Sequence, residues 1–251
     1  MSARDDPIGF YDEAYRPASA EESDRGARWR ALGARAKADH VVELAGRIGL
    51  RPQRVAEVGC GDGALLSELA ARGFAPVLAG FEISEPAVAI ARERSIPGLE
   101  SITLFDGERL GVADGTYDLG VLSHVLEHVP EPARLLAETA RACGTVIVEV
   151  PLEANLSARR GSKREGADEI GHLQRLDRAE VAAFVRDAGL RIAADLSDPL
   201  TFAAHSFFAT SASARAGALA KAGVRRTIFR ASRRAAERVF TVHYACACVP
   251  A

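Results

Sequence analysis

The sequence contains no run of about 18 or more uncharged apolar residues, the length a membrane-spanning helix needs. Its N-terminus, with Arg4, Asp5 and Asp6, lacks the apolar core of a secretory signal. A soluble, cytoplasmic protein is the expectation. An excess of one charge is also missing: 32 Lys and Arg stand against 34 Asp and Glu, a net charge of -2. That balance argues against wholesale nucleic-acid binding, although local patches remain able to hold anions. Cysteine is scarce and scattered. Cys60 sits in a Gly-rich turn, Cys143 at a helix end, and Cys246 and Cys248 alternate on a strand, so reduced thiols are expected rather than a disulfide framework or a CxxC zinc knuckle. No internal repeat occurs. With 48% hydrophobic and 26% charged residues, the 251 residues are neither disordered nor collagen-like, and suffice for one large α/β domain or two small ones.

What is present is an alternation of strands and helices. Residues 1–50 are polar and rich in Arg and Ala, with Val41, Leu44, Ala45 and Ile48 at helical spacing, and read as a helical cap. Val55 to Val58 reads as a buried strand, followed by a Gly-rich turn, a helix over Ala64–Arg72 stopped by Gly73, and a second strand over Val77–Phe81. Ser84, Glu85 and Pro86 open the next helix. Further strands are expected over Ser101–Phe105, Asp118–Ser123, Thr145–Val150 and Thr241–Val249, and helices over Pro132–Arg141 and Arg178–Ala188, the latter with Asp177 and Glu180 as a capping-box pair and Gly189 as its stop. Such alternation implies an α/β fold with a mostly parallel sheet covered on both faces. A polar stretch over 152–176, carrying Arg159, Arg160, Lys163 and Arg164, has the length of a lid. We divide the chain into a cap (1–50), a core (51–198), a basic helical insertion (199–239) and a last core strand (240–251).

The turn Glu57-Val-Gly59-Cys60-Gly61-Asp62-Gly63-Ala64 follows a strand and opens a helix, where glycines admit a ligand close to the backbone. Read as G-x-G-x-x-A it also satisfies a dinucleotide fingerprint, so the turn alone leaves NAD and other adenosine ligands open. Glu82, at the end of the second strand and about 20 residues on, has the position from which a carboxylate accepts from both ribose hydroxyls. Asp106 follows the third strand, where it can meet an adenine amino group or simply form an Asp-Gly turn.

These segments, together with Phe81-Glu82-Ile83-Ser84, Tyr117-Asp118 and Ser123-His-Val-Leu-Glu-His-Val129, resemble class I S-adenosylmethionine-dependent methyltransferases, in particular the small-molecule branch related to ubiquinone-biosynthesis methyltransferases. The resemblance spans roughly residues 50–190 and the last strand. It implies a Rossmann-like fold with a seven-stranded, mostly parallel sheet, an antiparallel last strand and a helical cap. It further implies S-adenosyl-L-methionine as cofactor: Glu57, Gly59, Cys60, Gly61 and Gly63 around its aminoacid part, Glu82 at the ribose, Asp106 and Gly107 at adenine, Ser123 beside the methionine moiety, Tyr11 or Tyr15 of the cap against it, and Ile83 among the residues that bind it.

Methyl transfer from a sulfonium is an in-line displacement, so alignment dominates, and a base helps only an acceptor that keeps a proton. His124 and His128, four residues apart, are expected on one helix face, and His172 follows the polar stretch; these three are the candidate bases, with packing of His128 against Glu127 as the alternative. His40, His205 and His243 have no placement that favours catalysis. His124-Val-Leu-Glu-His128 also spells H-x-x-E-H, a zinc-protease pattern; its place at the end of a parallel strand speaks against that reading, and no metal is expected. The arginines of 215–238 are expected on a solvated helix face, with Ala, Val, Ile and Phe packed inward. The expected activity is methylation of a small-molecule acceptor, first at oxygen, then nitrogen or carbon, in biosynthesis of a specialised or quinone-like compound. An NAD-dependent oxidoreductase and a non-catalytic adenosine-ligand or RNA-binding module are the alternatives.

Overall fold

Strands β1 (Arg54–Val58), β4 (Leu119–Ser123) and β5 (Thr145–Leu152) are covered on both faces, which is why their apolar residues run on without polar alternation. In the computed structural model, which describes residues 5–16, 19–158, 166 and 169–251, they are joined by β2 (Val77–Glu82), β3 (Leu99–Leu104), β6 (Leu190–Pro199) and β7 (Val242–Pro250) in one sheet of order β3-β2-β1-β4-β5-β7-β6. β1 to β5 are mutually parallel; β7 enters between β5 and β6, antiparallel to both. The architecture is therefore the seven-stranded, mostly parallel sheet with an antiparallel last strand that the resemblance implied. β6 was absent from the strands read off the residues. It lies at the sheet edge with most of its residues partly exposed, and a register shift between Ile192 and Ala194 breaks its period of two, so no clean alternation marks it.

Helices cover both faces. On one, α2 (Ala20–Arg47) buries Ala34, Ala38, Val41, Leu44 and Ala45 beside Leu65, Leu66 and Leu69 of α3 (Ala64–Ala71) and Val88 and Ala91 of α4 (Glu85–Glu93). Ser19 caps α2 by accepting from Glu22 N at 3.2 Å, and Ser84 caps α4 with Pro86 in its first turn. On the other face, α5 (Pro132–Cys143) and α6 (Arg178–Asp187) contribute Leu135, Leu136, Val181 and Val185. The Asp177–Glu180 capping box of α6 is formed as expected. A short helix α1 (Pro7–Ala14), with Asp6 as its cap, buries no residue of its own and is tied to α4 by Glu85 N donating to Asp12 at 3.2 Å.

The ends of the expected lid are pinned: Glu153 N and Ala154 N donate to Leu176 O, and Leu173 N and Gln174 N to Glu127 O. Its middle, residues 159–165 and 167–168, lies outside the described residues. The basic segment forms α7 (Phe202–Ser206), α8 (Ala212–Ala231) and α9 (Arg233–Val239). Arg215, Arg226, Arg230, Arg233, Arg234 and Arg238 are exposed, as expected. Arg225 is not: it is 6% exposed, its guanidinium 4.5 Å above the Phe240 ring and 3.1 Å from His205 Nε2. The inward packing is also incomplete, since Leu219 and Val224 remain exposed while Ile228 and Phe229 pack on the core. Arg178 holds α9 to the sheet by hydrogen bonds to Glu237, Ser197 and Asp195 while lying 4.3 Å over the Tyr244 ring. Among the described residues no helix is long and apolar enough to cross a membrane.

Candidate active site

The strand order reverses between β1 and β4, and a crevice opens there at the carboxyl edge of the sheet. The glycine turn forms its floor with Gly59, Gly61 and Gly63 at φ of 76°, 53° and 75°. Two of these admit no side chain: a Cβ on Gly59 would lie 2.5 Å from Val125 Cγ2, and one on Gly61 2.3 Å from the Tyr15 hydroxyl. The backbone N–H groups of the turn's three glycines and of Cys60 are spent internally. Gly59 N and Cys60 N donate to Phe81 O (2.7 and 3.1 Å), Gly63 N to Cys60 O (2.9 Å), and Gly61 N to Glu82 Oε2 (2.7 Å). Cys60 accordingly offers a ligand neither its N–H nor its thiol, which points into the core beneath Gly80 and is pushed well up by burial. Its expected role at the site is not supported by this geometry.

Carboxylates surround the turn. Glu82 accepts from Gly61 N, Ile83 N and Ser84 N (2.7, 2.8 and 3.0 Å); burial raises its pKa against the pull of those three donors. Three of its roughly four lone-pair sites are thus in use within the protein. Glu57 is buried with Oε2 lacking a partner, and burial raises its pKa well above the ordinary range although Lys37 opposes this. Asp62, 2% exposed, takes Arg30 Nε and Arg94 Nη2, each at 2.7 Å, and Ala64 N at 3.3 Å. Arg30 also lies 5.1 Å over the Tyr15 ring, so the N-terminal helices are clamped onto the turn. Neither Asp62 nor Arg30 was singled out from sequence, although Asp62 stands inside the glycine motif.

The crevice encloses a cavity of about 420 Å³. Tyr11 of α1 and Tyr15, which caps the end of that helix, roof it; Gly59, Gly61, Glu82, Ile83, Asp106 and Gly107 line one side, and His124 and His128 the other. Glu57, Cys60, Gly63, Ser123 and His172 stand behind this surface. Ser123 Oγ is buried without a partner. Asp106 is exposed and spends Oδ1 on its own turn, accepting from Glu108 N and Arg109 N (2.8 and 2.7 Å), which lowers its pKa.

The expected helix face carrying His124 and His128 does not form. His124 is the one non-glycine with positive φ among the described residues (58°), and only a three-residue 3-10 turn, Leu126–His128, follows it. The two imidazoles meet at Glu127, His124 reaching on to Glu149 as well, and without a shared helix face the H-x-x-E-H spelling has no zinc-protease geometry. His128 Nδ1 lies 2.7 Å from the Tyr11 hydroxyl and 3.1 Å from Gly171 O, with Nε2 3.9 Å from Glu127 Oε1. Burial lowers its pKa below the ordinary imidazole value, with Glu127 opposing. His172 packs edge-on against it at 4.7 Å and pairs through Nδ1 with Glu153 at 2.7 Å. Burial opposes charge on Glu127, yet His124 and His128 hold it down to about 2.

His40 and His243, given no role from sequence, converge with His124 on Glu149, a carboxylate inside an otherwise apolar strand. That lone acid in Val-Ile-Val-Glu-Val was the available signal. Burial opposes the charge of His40, but Asp198 and Glu149 outweigh it and push it up to about 10; burial and neighbouring His124 drive His243 down to about 3.

Comparison with known proteins bears on the family and the fold. A family model described as "Methyltransferase domain" matches residues 27–194. The ubiquinone biosynthesis O-methyltransferase of Hahella chejuensis is 35% identical over 101 residues, 38% of this chain and 40% of that protein; the matched stretch thus spans well under half the length of this curated relative. Magnesium protoporphyrin IX methyltransferase from Synechocystis, solved with bound S-adenosylhomocysteine, superposes with a TM-score of 0.60 at 18% identity over 92% of this chain and 95% of its own. A SAM-dependent methyltransferase from Thermotoga maritima, a possible histamine N-methyltransferase, gives 0.60 at 16% identity over 97% and 99%. At such identities the solved structures bear on the fold alone, whereas the family model covers well over half of the sequence: the chain belongs to the methyltransferase-domain family.

Proposed function

We propose that the protein transfers a methyl group from S-adenosylmethionine to a small organic acceptor, at oxygen in the first instance. The observation that carries this reading is the electrostatics of the glycine turn. A pyrophosphate needs free N–H groups at a helix N-terminus, but here those of Gly59, Cys60, Gly61 and Gly63 are spent inside the protein and Ala64 N faces Asp62. The charge of Asp62 is taken up by Arg30 and Arg94, so what the turn offers a ligand is the acceptor capacity of Glu82 and, behind it, of Glu57, which suits an amine-bearing ligand and favours a sulfonium over NAD. The unpartnered Glu57 Oε2 and Ser123 Oγ, just behind the cavity wall, are acceptors in reach of the aminoacid end, and the remaining site on Glu82 suits a ribose hydroxyl. Ile83, Asp106 and Gly107 would flank the adenine.

The cofactor supplies the methyl on a positively charged sulfur, and in-line transfer leaves the protein to align the acceptor and take its proton. With Nδ1–H of His128 donating to Gly171 O, Nε2 carries the lone pair. Burial keeps that imidazole neutral and ready to accept, and the anionic Glu127 stabilises the imidazolium that results. The Tyr11 hydroxyl, hydrogen-bonded to the same ring, joins α1 to the base, so that closing the roof and positioning His128 are one event. His172 orients the His128 ring rather than reaching the acceptor; His124 takes the far wall.

Calorimetry with S-adenosylmethionine, S-adenosylhomocysteine and NAD tests the cofactor: the first two are expected to bind and NAD to give no heat. Binding of NAD alone would return the oxidoreductase reading. Failure of labelled methyl to reach any member of a broad acceptor panel would favour a non-catalytic ligand sensor.

A further inference from the structure

The structure holds two carboxylates at the heart of its histidine cluster. The proposed chemistry uses Glu127 and leaves Glu149 without a role. Glu149 is 1% exposed, and its Oε1 makes no hydrogen bond. Two imidazole nitrogens face that oxygen: His124 Nε2 at 3.4 Å, itself buried and without a hydrogen-bond partner, and His243 Nδ1 at 3.6 Å. One donor atom from each of the three residues lies within 4.8 Å of the other two. A buried carboxylate oxygen left unsatisfied costs on the order of 1–3 kcal/mol, and an orphaned imidazole nitrogen adds to it. Residues that leave such atoms converging without bonding one another are arranged for something that meets all of them together.

We infer that His124, Glu149 and His243 form a binding site for a divalent transition-metal ion of the zinc type. Two imidazoles and one carboxylate are the donor set of open, three-ligand zinc and iron sites, which keep a further position free for water or substrate. Each donor is fixed by the sheet: Glu149 within β5, His243 in β7 opposite Pro151, and His124 directly after β4, its backbone N–H donating to Glu149 O at 2.8 Å. The surroundings match the second layer such sites require, in which each ligand is oriented by an outer partner. His124 Nδ1 faces Glu127 Oε1 at 3.4 Å, giving a carboxylate–histidine–metal relay, and the other oxygen of Glu149 is held by His40 Nδ1 at 3.0 Å, with Asp198 3.6 Å from the far side of that ring. His124 also lines the cavity, so an ion on its buried Nε2 would lie behind that wall. The neighbouring trio Glu127, His128 and His172 is as close-knit. However, His128 Nδ1 is committed to Tyr11 and Gly171, and His172 Nδ1 to Glu153.

This site is independent of the methyl-transfer reading and is tested without turnover. Chelator-stripped full-length protein titrated with Zn²⁺ is expected to take up one equivalent while Mg²⁺ gives no heat, and the Co²⁺-loaded protein is expected to show visible ligand-field bands. Glu149→Gln and His243→Ala should each abolish uptake with the circular dichroism unchanged. His40→Gln should weaken it by about 10- to 100-fold, and His172→Ala should leave it as in the parent. No Zn²⁺ uptake and no Co²⁺ bands in the parent protein would overturn the inference whatever the variants do. So would loss of the ion in His172→Ala with retention in His243→Ala, which would move it to the Glu127 trio.

Discussion

The proposed base, His128, is defined by its burial, by the adjacent Glu127 and by Tyr11 from the distant N-terminal helix. Burial depresses His128 while Glu127 and Tyr11 hold the ring, so the neutral, proton-accepting form prevails at neutral pH. The kcat/KM profile is therefore expected to be flat from neutral pH upward and to fall only on acidification below the ordinary imidazole value, as the lowered pKa requires; a rise confined to alkaline pH would identify another base. His128→Ala is expected to cut kcat by about 10²- to 10⁴-fold with the S-adenosylmethionine Kd unchanged by calorimetry. Glu82→Gln should do the reverse. Losing a charge-assisted acceptor at the ribose costs about 1.5–3 kcal/mol, or roughly ten- to a hundredfold in Kd, while the remaining amide oxygen still serves part of the turn.

At the scale of elements, the strand–turn–helix unit around Gly59 was legible because its glycines, its strand and the Ser84 cap all agree locally. The crossover from β4 was not. Four-residue spacing placed His124 and His128 on one helix face, but the chain instead takes a left-handed residue and a single 3-10 turn, because it must turn at the sheet edge beneath Val125 and the glycine loop. A matched pair of alanine substitutions separates backbone strain from site geometry. Gly73→Ala, at φ 58° with nothing within 4 Å of the new Cβ, should cost about 1–2 kcal/mol of stability and leave cofactor affinity alone. Gly61→Ala, with comparable φ strain, must also displace the Tyr15 hydroxyl, and calorimetry should show a weakened S-adenosylmethionine Kd as well.

At the scale of the whole molecule, one arginine ties α9 to two strands of the sheet. Arg178 bonds Glu237 of α9, Ser197 and Asp195 of β6, and covers Tyr244 of β7. Arg178→Ala should therefore lower stability by about 1–3 kcal/mol, a fall in Tm of roughly 2–10 °C for a domain of this size, measurable by scanning calorimetry. The fold class, the order of most elements, the glycine turn and the acid that ends β2 were determined by the sequence alone, because hydrophobic period, capping residues and turn glycines act between near neighbours. The edge strand β6, the buried Arg225, the spent N–H groups around Cys60 and the gathering of His40, His124 and His243 on Glu149 were decided only by tertiary structure. Each depends on partners tens to more than a hundred positions apart, and no local pattern encodes which distant side chain will remove a group from water.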